Sequence, residues 1–211
     1  MRFEFNRDRK FFCIGLNKTG TTSLESAFKD LGFLVDDQNK AHRLMYNYEK
    51  REFSEIVKYC KVSEVFQDAP FSMKYTYMFL EQAYPKAKFI LSIRDSAEQW
   101  YESLIRFHSK LFGLNGRIPT KEDLENAQRP HGRNPYMNLK MRFGTPDDDI
   151  YHRETLINYY DSHNTDVVNY FRVLKEKLLV INLKETTSYQ RFCSFVGAKP
   201  IGDSFPWVNK S

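Results

Sequence analysis

No stretch of this sequence approaches the roughly 20 consecutive apolar residues that a membrane-spanning helix requires. The first ten residues, Met-Arg-Phe-Glu-Phe-Asn-Arg-Asp-Arg-Lys, lack the apolar core of a secretory leader. Cysteine is scarce. Cys13, Cys60 and Cys193 are odd in number and widely spaced, which argues for reduced core thiols and against a disulfide framework or a zinc site. His and Cys nowhere fall at ligand spacing. Asp147-Asp148-Asp149 has the form of an acidic helix start, not of a calcium loop. There is no run of Lys and Arg, no nucleic-acid-binding signature, no internal repeat and no low-complexity segment. These absences give the expectation of a soluble, cytoplasmic chain with no metal, no membrane span and no nucleic-acid partner. Nothing in them fixes an oligomeric state.

What is present suits an α/β domain. The 211 residues are 41% hydrophobic and 28% charged, enough for one domain with a sizeable core. The formal net charge of +5 is a mild excess that fits an anionic ligand.

Strand and helix signals alternate along the chain. Residues 10–15, Lys-Phe-Phe-Cys-Ile-Gly, are a short apolar run ending in glycine, as in a buried central strand. Leu24, Phe28 and Leu31 then recur at helical spacing, with Gly32 as a stop. Phe33 to Val35 suggests a second short strand, and 38–60 a polar-faced helical stretch. Further strands are predicted at Val62 to Phe66, Ala87 to Ile93 and Leu178 to Leu183. Helices are predicted at 71–83, after Arg94, near 147–174 and at 188–196. The helix after Arg94 shows an apolar stripe of Trp100, Leu104, Phe107 and Leu111, and Ser96 with Gln99 reads as its capping box. Residues 113–146 are rich in Gly, Pro and Arg, and predict a long excursion with little regular structure, of the lid or substrate-loop kind. The alternation predicts a mostly parallel sheet covered on both faces. Ligands of such sheets bind at the carboxyl ends of the strands, where Gly15, Asp68 and Arg94 are expected.

The loop after the first strand carries the chemistry. Gly15 and Gly20 permit a compact turn with inward N–H groups, and the helix opening at Thr21 adds its positive end. Lys18 adds a full charge, and Thr19, Thr21, Thr22 and Ser23 add hydroxyl donors. That set suits a phosphate or sulfate group. The glycine spacing is that of a Walker A loop, but Thr21 stands where the lysine belongs. The plainer reading is helix capping by Thr22 and Glu25.

Lys18-Thr19-Gly20-Thr21-Thr22 closely resembles the 5′-phosphosulfate loop of sulfotransferases that use 3′-phosphoadenosine 5′-phosphosulfate (PAPS). Phe89-Ile-Leu-Ser-Ile-Arg-Asp95 with Trp100-Tyr-Glu-Ser103 resembles the family's 3′-phosphate element, in which a strand ends on arginine and a serine follows on the next helix. His163-Asn164 with Val167, Tyr170 and Phe171, the run from Leu178 to Glu185, and Phe205-Pro-Trp-Val-Asn209 resemble the C-terminal helix–strand and closing segment of small bacterial-type members. The likeness runs in order from about residue 11 to 209. It implies a P-loop-like three-layer α/β/α fold in one domain, with the excursion at about 113–146 as lid or acceptor-binding segment. It also implies PAPS as sulfuryl donor, no metal, no covalent nucleophile, and a small-molecule, glycan or lipid acceptor.

Under that resemblance Lys18, Thr19, Gly20, Thr21, Thr22 and Ser23 hold the 5′-phosphosulfate, and Lys18 meets charge on the leaving phosphate. Arg94 takes the 3′-phosphate, its competing role being an ion pair with Asp95 or Glu98. Ser103 is the matching hydroxyl. It falls one place later than the family spacing, with Glu102 at the usual place, and Ser96 is its substitute. Asp68, at a predicted strand end, is the candidate general base, and equally an ordinary helix cap or turn former. Glu64 and the histidines stand in reserve; His108, His131 and His163 are first of all structural. Two alternatives remain: a P-loop nucleotide-dependent kinase with Asp95 as its acidic strand-end residue, and a non-catalytic relative that binds the donor.

Overall fold

A computed structural model describes residues 9–127 and 134–206. His131, with Arg129 and Arg133 of the excursion, lies outside the described residues, as do residues 207–209 of the closing segment. The helices are α1 (Thr21–Asp30), α2 (Gln38–Ala41), α3 (Met45–Glu49), α4 (Phe53–Tyr59), α5 (Thr76–Ala83), α6 (Ala97–Phe112), α7 (Lys121–Asn126), α8 (Pro135–Phe143), α9 (Arg153–Tyr170) and α10 (Ser188–Val196). The strands are β1 (Phe11–Cys13), β2 (Val65–Gln67), β3 (Lys88–Ile93) and β4 (Leu178–Asn182). The fold is α/β, with a parallel sheet and flanking helices in the P-loop-like manner. No helix among the described residues is long and apolar enough to cross a membrane.

The chain divides into two compact units, one of residues 1–93 with 166–211 and one of residues 94–165. The first holds the sheet, in the order β2-β1-β3-β4, every pair parallel. Val35 adds an isolated parallel bridge to Val65, the remnant of the expected second strand. Chain order reverses at β1, which has β2 on one side and β3 on the other. The crevice for a ligand is therefore expected beyond the carboxyl end of β1.

Alternation along β1 explains why both faces are filled. Phe11 and Cys13 point to one face and join Leu24 and Phe28 of α1 and Phe192 of α10 in the main apolar cluster. Phe12 points to the other. Its ring lies 5.4 Å from Phe66 on β2 and 5.4 Å from Phe89 on β3, which are its register partners. An aromatic row thus crosses three strands, fixing register by shape as well as by backbone bonds. Cys13, Cys60 and Cys193 are buried thiols.

In the second unit Trp100 is fully buried, stacked on Tyr160 at 5.0 Å and edge-on to Phe143 at 5.9 Å. The predicted stripe of α6 is corrected here: Trp100 and Leu104 are buried, but Phe107 and Leu111 are exposed, and His108 and Ser109 turn inward instead. His108 Nδ1 lies 3.0 Å from the Tyr151 hydroxyl.

Three further expectations are corrected. The excursion is more regular than its composition suggests, because its breakers sit at helix ends. Thr120 caps α7 in a capping box with Asp123, Pro135 is the first residue of α8, and Gly144 ends α8 at φ 65°. The stretch 38–60 is broken into α2, a 3₁₀ turn, α3 and α4. Asp147-Asp148-Asp149 does not open a helix, since α9 begins at Arg153. Asp147 is instead held by the Tyr136 hydroxyl at 2.7 Å and by Lys140 at 2.8 Å, which keep its carboxyl below the usual range.

Candidate functional site

The turn between β1 and α1 is built by close approach. A Cβ on Gly15 would stand 2.3 Å from Ser92 Oγ and 2.5 Å from the Ser92 carbonyl oxygen, so only glycine lets the turn lie against β3. Gly20 has φ 103° and is the N-cap of α1, and Lys18 sits in the left-handed region at φ 69°. A lysine held there stores about 1–2 kcal/mol of strain. Lys18 is half-buried.

No side chain caps α1. The plainer alternative, a capping box of Thr22 and Glu25, is therefore not what the helix uses. Glu25 reaches other partners, accepting from Gln67 Nε2 at 2.7 Å and pairing with Lys29. The first helical N–H groups, at Thr21, Thr22 and Ser23, are left in the arrangement that receives an anion. The Thr22 side chain is exposed, and those of Thr21 and Ser23 are half-exposed.

Thr19 differs from its neighbours. It is 2% exposed, its hydroxyl donates to the Leu16 carbonyl at 2.6 Å, and its N–H bonds the same oxygen at 3.3 Å. Ser92 Oγ lies 2.6 Å from Thr19 Oγ1. The Thr19 side chain fastens the loop to β3. This role was invisible in the sequence, because it needs a partner 73 positions away.

Arg94 follows β3 directly and opens the second unit. Half-buried, its guanidinium loses a little of its preference for charge, chiefly through burial. Glu98, one expected ion partner, is engaged by Arg153 instead, with Arg153 Nε 3.1 Å from Glu98 Oε1. The Arg94 N–H donates to the Tyr160 hydroxyl at 2.8 Å.

Ser96 caps α6, accepting from the Gln99 N–H at 3.1 Å. The predicted capping box is half right. The Gln99 side chain reaches back one residue further, accepting from Asp95 N–H at 3.2 Å and donating to its carboxylate at 2.7 Å. Ser103 is half-buried two turns into α6, roughly 10 Å along the axis from Ser96 at 1.5 Å per residue.

Asp68 follows β2 at φ 53°, half-buried. One carboxylate oxygen accepts from the Ala69 N–H at 2.9 Å, and its carbonyl accepts from Ser72 N–H at 2.8 Å. It shapes a turn but is not a helix cap, because Tyr75 occupies that position for α5. Glu64 is removed from the reserve of bases. It stands before β2, at the opposite end of the strand, with its carboxylate taken by Arg9 at 2.6 Å and the Leu34 N–H at 3.0 Å. His163 is buried, its ring parallel to that of Tyr159.

Asp36 was missed by sequence reasoning. It is 8% exposed, just past the Val35 bridge. Burial pushes its carboxyl up to about 7, reinforced by Asp37 and Glu25 and opposed by a hydrogen bond from Tyr59. A strand-end aspartate carries no local sign of burial.

Among the described residues no group of His, Cys, Asp and Glu could hold a metal ion. A search of curated proteins finds no match. A family model described as a sulfotransferase domain matches residues 10–211, and on the strength of that match, which takes in the loop, the sheet and Arg94, the chain belongs to the sulfotransferase domain family.

Proposed function

We propose that the protein moves a sulfuryl group from PAPS to a hydroxyl or amine acceptor by in-line transfer. The observation that carries this reading is the β1–α1 turn, where Lys18 stands between two glycines and leads into a helix that no side chain caps. Bound PAPS supplies an activated sulfuryl group whose leaving group is a phosphate. The turn fits its 5′ end, since Gly15 admits no Cβ and the first turn of α1 presents N–H groups and hydroxyls.

In this reading Lys18, Gly20, Thr21, Thr22 and Ser23 hold the 5′-phosphosulfate, with Thr19 fixing the loop behind them. Arg94 takes the 3′-phosphate, with Ser103 or Ser96 as its hydroxyl partner. The acceptor oxygen bonds to sulfur as the bond from sulfur to the phosphate oxygen breaks. Asp68 takes the acceptor's proton, and Lys18 meets the charge that gathers on the leaving phosphate. The acceptor is a small molecule, glycan or lipid, and its binding falls to the segment at about 113–146.

Calorimetry with adenosine 3′,5′-bisphosphate tests the reading. The intact protein should bind it saturably, and Lys18→Ala or Arg94→Ala should each weaken binding at least tenfold, about 1.4 kcal/mol. No binding by the intact protein, or magnesium-dependent ATP binding in its place, would overturn it.

A further inference from the structure

Asp36 and Gln67 stand at the carboxyl end of β2, 8% and 6% exposed. The Asp36 N–H bonds the Val65 carbonyl at 3.0 Å, and Gln67 is the last residue of the strand. Gln38, two places after Asp36, reaches the turn that follows β2, its Nε2 donating to the Ala69 carbonyl at 2.9 Å. Gln67 Nε2 donates to Glu25 at 2.7 Å. These two bonds use the nitrogen of each amide and leave its oxygen over. Asp36 Oδ2, Gln38 Oε1 and Gln67 Oε1 are all shut from solvent with no hydrogen-bond partner among the described residues. Buried polar atoms are seldom left so, and what these three share is the need for a donor. Ser72 Oγ and Thr76 Oγ1, on the segment that leads from the turn into α5, are also buried and unpartnered. As hydroxyls they can give or accept, so they do not set the sign of a ligand.

The carboxylates set the sign. Burial raises the Asp36 carboxyl, and the charges of Asp37 and Glu25 raise it further, so the field there is negative. Lys29 pairs with Glu25 and Lys40 with Asp37, whereas among the described residues no cation pairs with Asp36. Oxygens without donors in a negative field suit a group with positive charge and several N–H bonds, and an ammonium has three such bonds and no acceptor. A metal ion does not fit, since among the described residues no group of His, Cys, Asp and Glu could hold one. We infer that the carboxyl end of β2 holds a protonated amino group of the acceptor, with Asp36, Gln38 and Gln67 supplying the oxygens around it. The inference rests on the sulfuryl-transfer reading above and names the class of acceptor it serves. The ammonium is an anchor and not the nucleophile, because its nitrogen has no lone pair. Asp68, the proposed base, directly follows Gln67, so an acceptor anchored here brings its reacting hydroxyl toward the group that takes the proton. Entry falls to residues 68–75, which are neither helix nor strand and hold Asp68 and Tyr75 in the left-handed region at φ 53° and 69°. Strain of this kind is relieved when a bound ligand favours another arrangement.

Calorimetry on the intact chain tests this with two matched pairs, tyramine against para-propylphenol and glucosamine against glucose, each with and without adenosine 3′,5′-bisphosphate. At least one amine should bind, and at least about tenfold more tightly than its neutral twin. Asp36→Asn should remove most of that margin and Gln38→Met about threefold of it, while the neutral twin changes less than about twofold. Thermal melts check that each variant folds. Should Asp36→Asn fail to fold, Gln38→Met, at a half-buried side chain, carries the comparison. Binding by neither amine would overturn the inference, the oxygens then being served by water alone. A neutral twin that binds as tightly as its amine would also overturn it, as would equal losses for both members of a pair in the variants. Bisphosphate binding is read separately. If the amine binds through Asp36 but the bisphosphate does not bind at all, the PAPS reading falls and the amine site stands.

Discussion

Thr19 Oγ1 and Ser92 Oγ lie 2.6 Å apart, joining the loop after β1 to the penultimate residue of β3. Because the Thr19 hydroxyl donates to the Leu16 carbonyl, the Ser92 hydroxyl must donate to Thr19. The loop is thereby closed on itself and tied to the strand that leads to Arg94. Thr19→Val keeps the shape and removes both bonds. It should cost about 1–3 kcal/mol, since the Ser92 hydroxyl is left buried without its partner. In a thermal melt that is a fall of roughly 2–4 °C for each kcal/mol. Thr19→Ser retains the hydroxyl and should lose under half as much. A loss in Thr19→Ser with none in Thr19→Val would show that the methyl group, not the hydroxyl, matters.

Gly15 meets the same serine more tightly. An added Cβ lies 2.3 Å from Ser92 Oγ, but also 2.5 Å from its carbonyl oxygen and 2.7 Å from its nitrogen. Gly15→Ala should therefore destabilise by about 1–3 kcal/mol or more, through backbone displacement. Adding Ser92→Ala removes only the hydroxyl, so the double variant should not recover. Full recovery in a denaturant titration would place the whole clash on the side chain.

The loop was legible in the sequence because its parts are local. Gly15, Lys18, Gly20 and the start of α1 lie within a few residues, and each has a meaning fixed by backbone sterics or charge. The apolar strands were legible for the same reason, since both faces of Phe11–Cys13 are buried. Features that depend on distant partners were not. The inward turn of Thr19 needs Ser92, the hydroxyl beside Arg94 needs Tyr160, and the occupation of Glu64 needs Arg9. The excursion misled for a different reason. Proline and glycine were read as breakers of regular structure, whereas Pro135 and Gly144 mark the two ends of α8. Phe107 and Leu111 fit the helical period but lie on a flank of α6 that neighbouring elements leave uncovered.

Asp36 makes stability depend on pH. Its carboxyl is raised from 3.8 to about 7 in the folded state, mainly by burial. Between those values the folded chain holds a proton that the unfolded chain has released. Stability from this group therefore falls as pH rises through that window and levels off above about 7. Asp36→Asn keeps an oxygen for the Tyr59 hydroxyl and removes the ionisation. Relative to the parent, the variant should gain stability between pH 4 and 7, reaching on the order of a few kcal/mol at pH 8. Melting curves that stay parallel across the range would show that Asp36 ionises in the fold as readily as in the unfolded chain.

Asp68 separates chemistry from turn geometry. Its carboxylate accepts from the Ala69 N–H at 2.9 Å, a bond that an amide oxygen makes equally well. Asp68→Asn should therefore melt within about 1 kcal/mol of the parent, a loss no larger than one ordinary hydrogen bond. It should also bind adenosine 3′,5′-bisphosphate as the parent does. As the proposed base, however, it should lose roughly 10²- to 10⁴-fold in turnover, the usual range for removing general-base catalysis. The remaining rate should rise with pH as solvent hydroxide replaces the carboxylate. Asp68→Glu, longer by one methylene, should restore part of the rate while disturbing the turn more than asparagine does. If Asp68→Asn turns over normally and only Asp68→Ala is unstable, Asp68 shapes the turn alone, and the proton must leave the acceptor by another group.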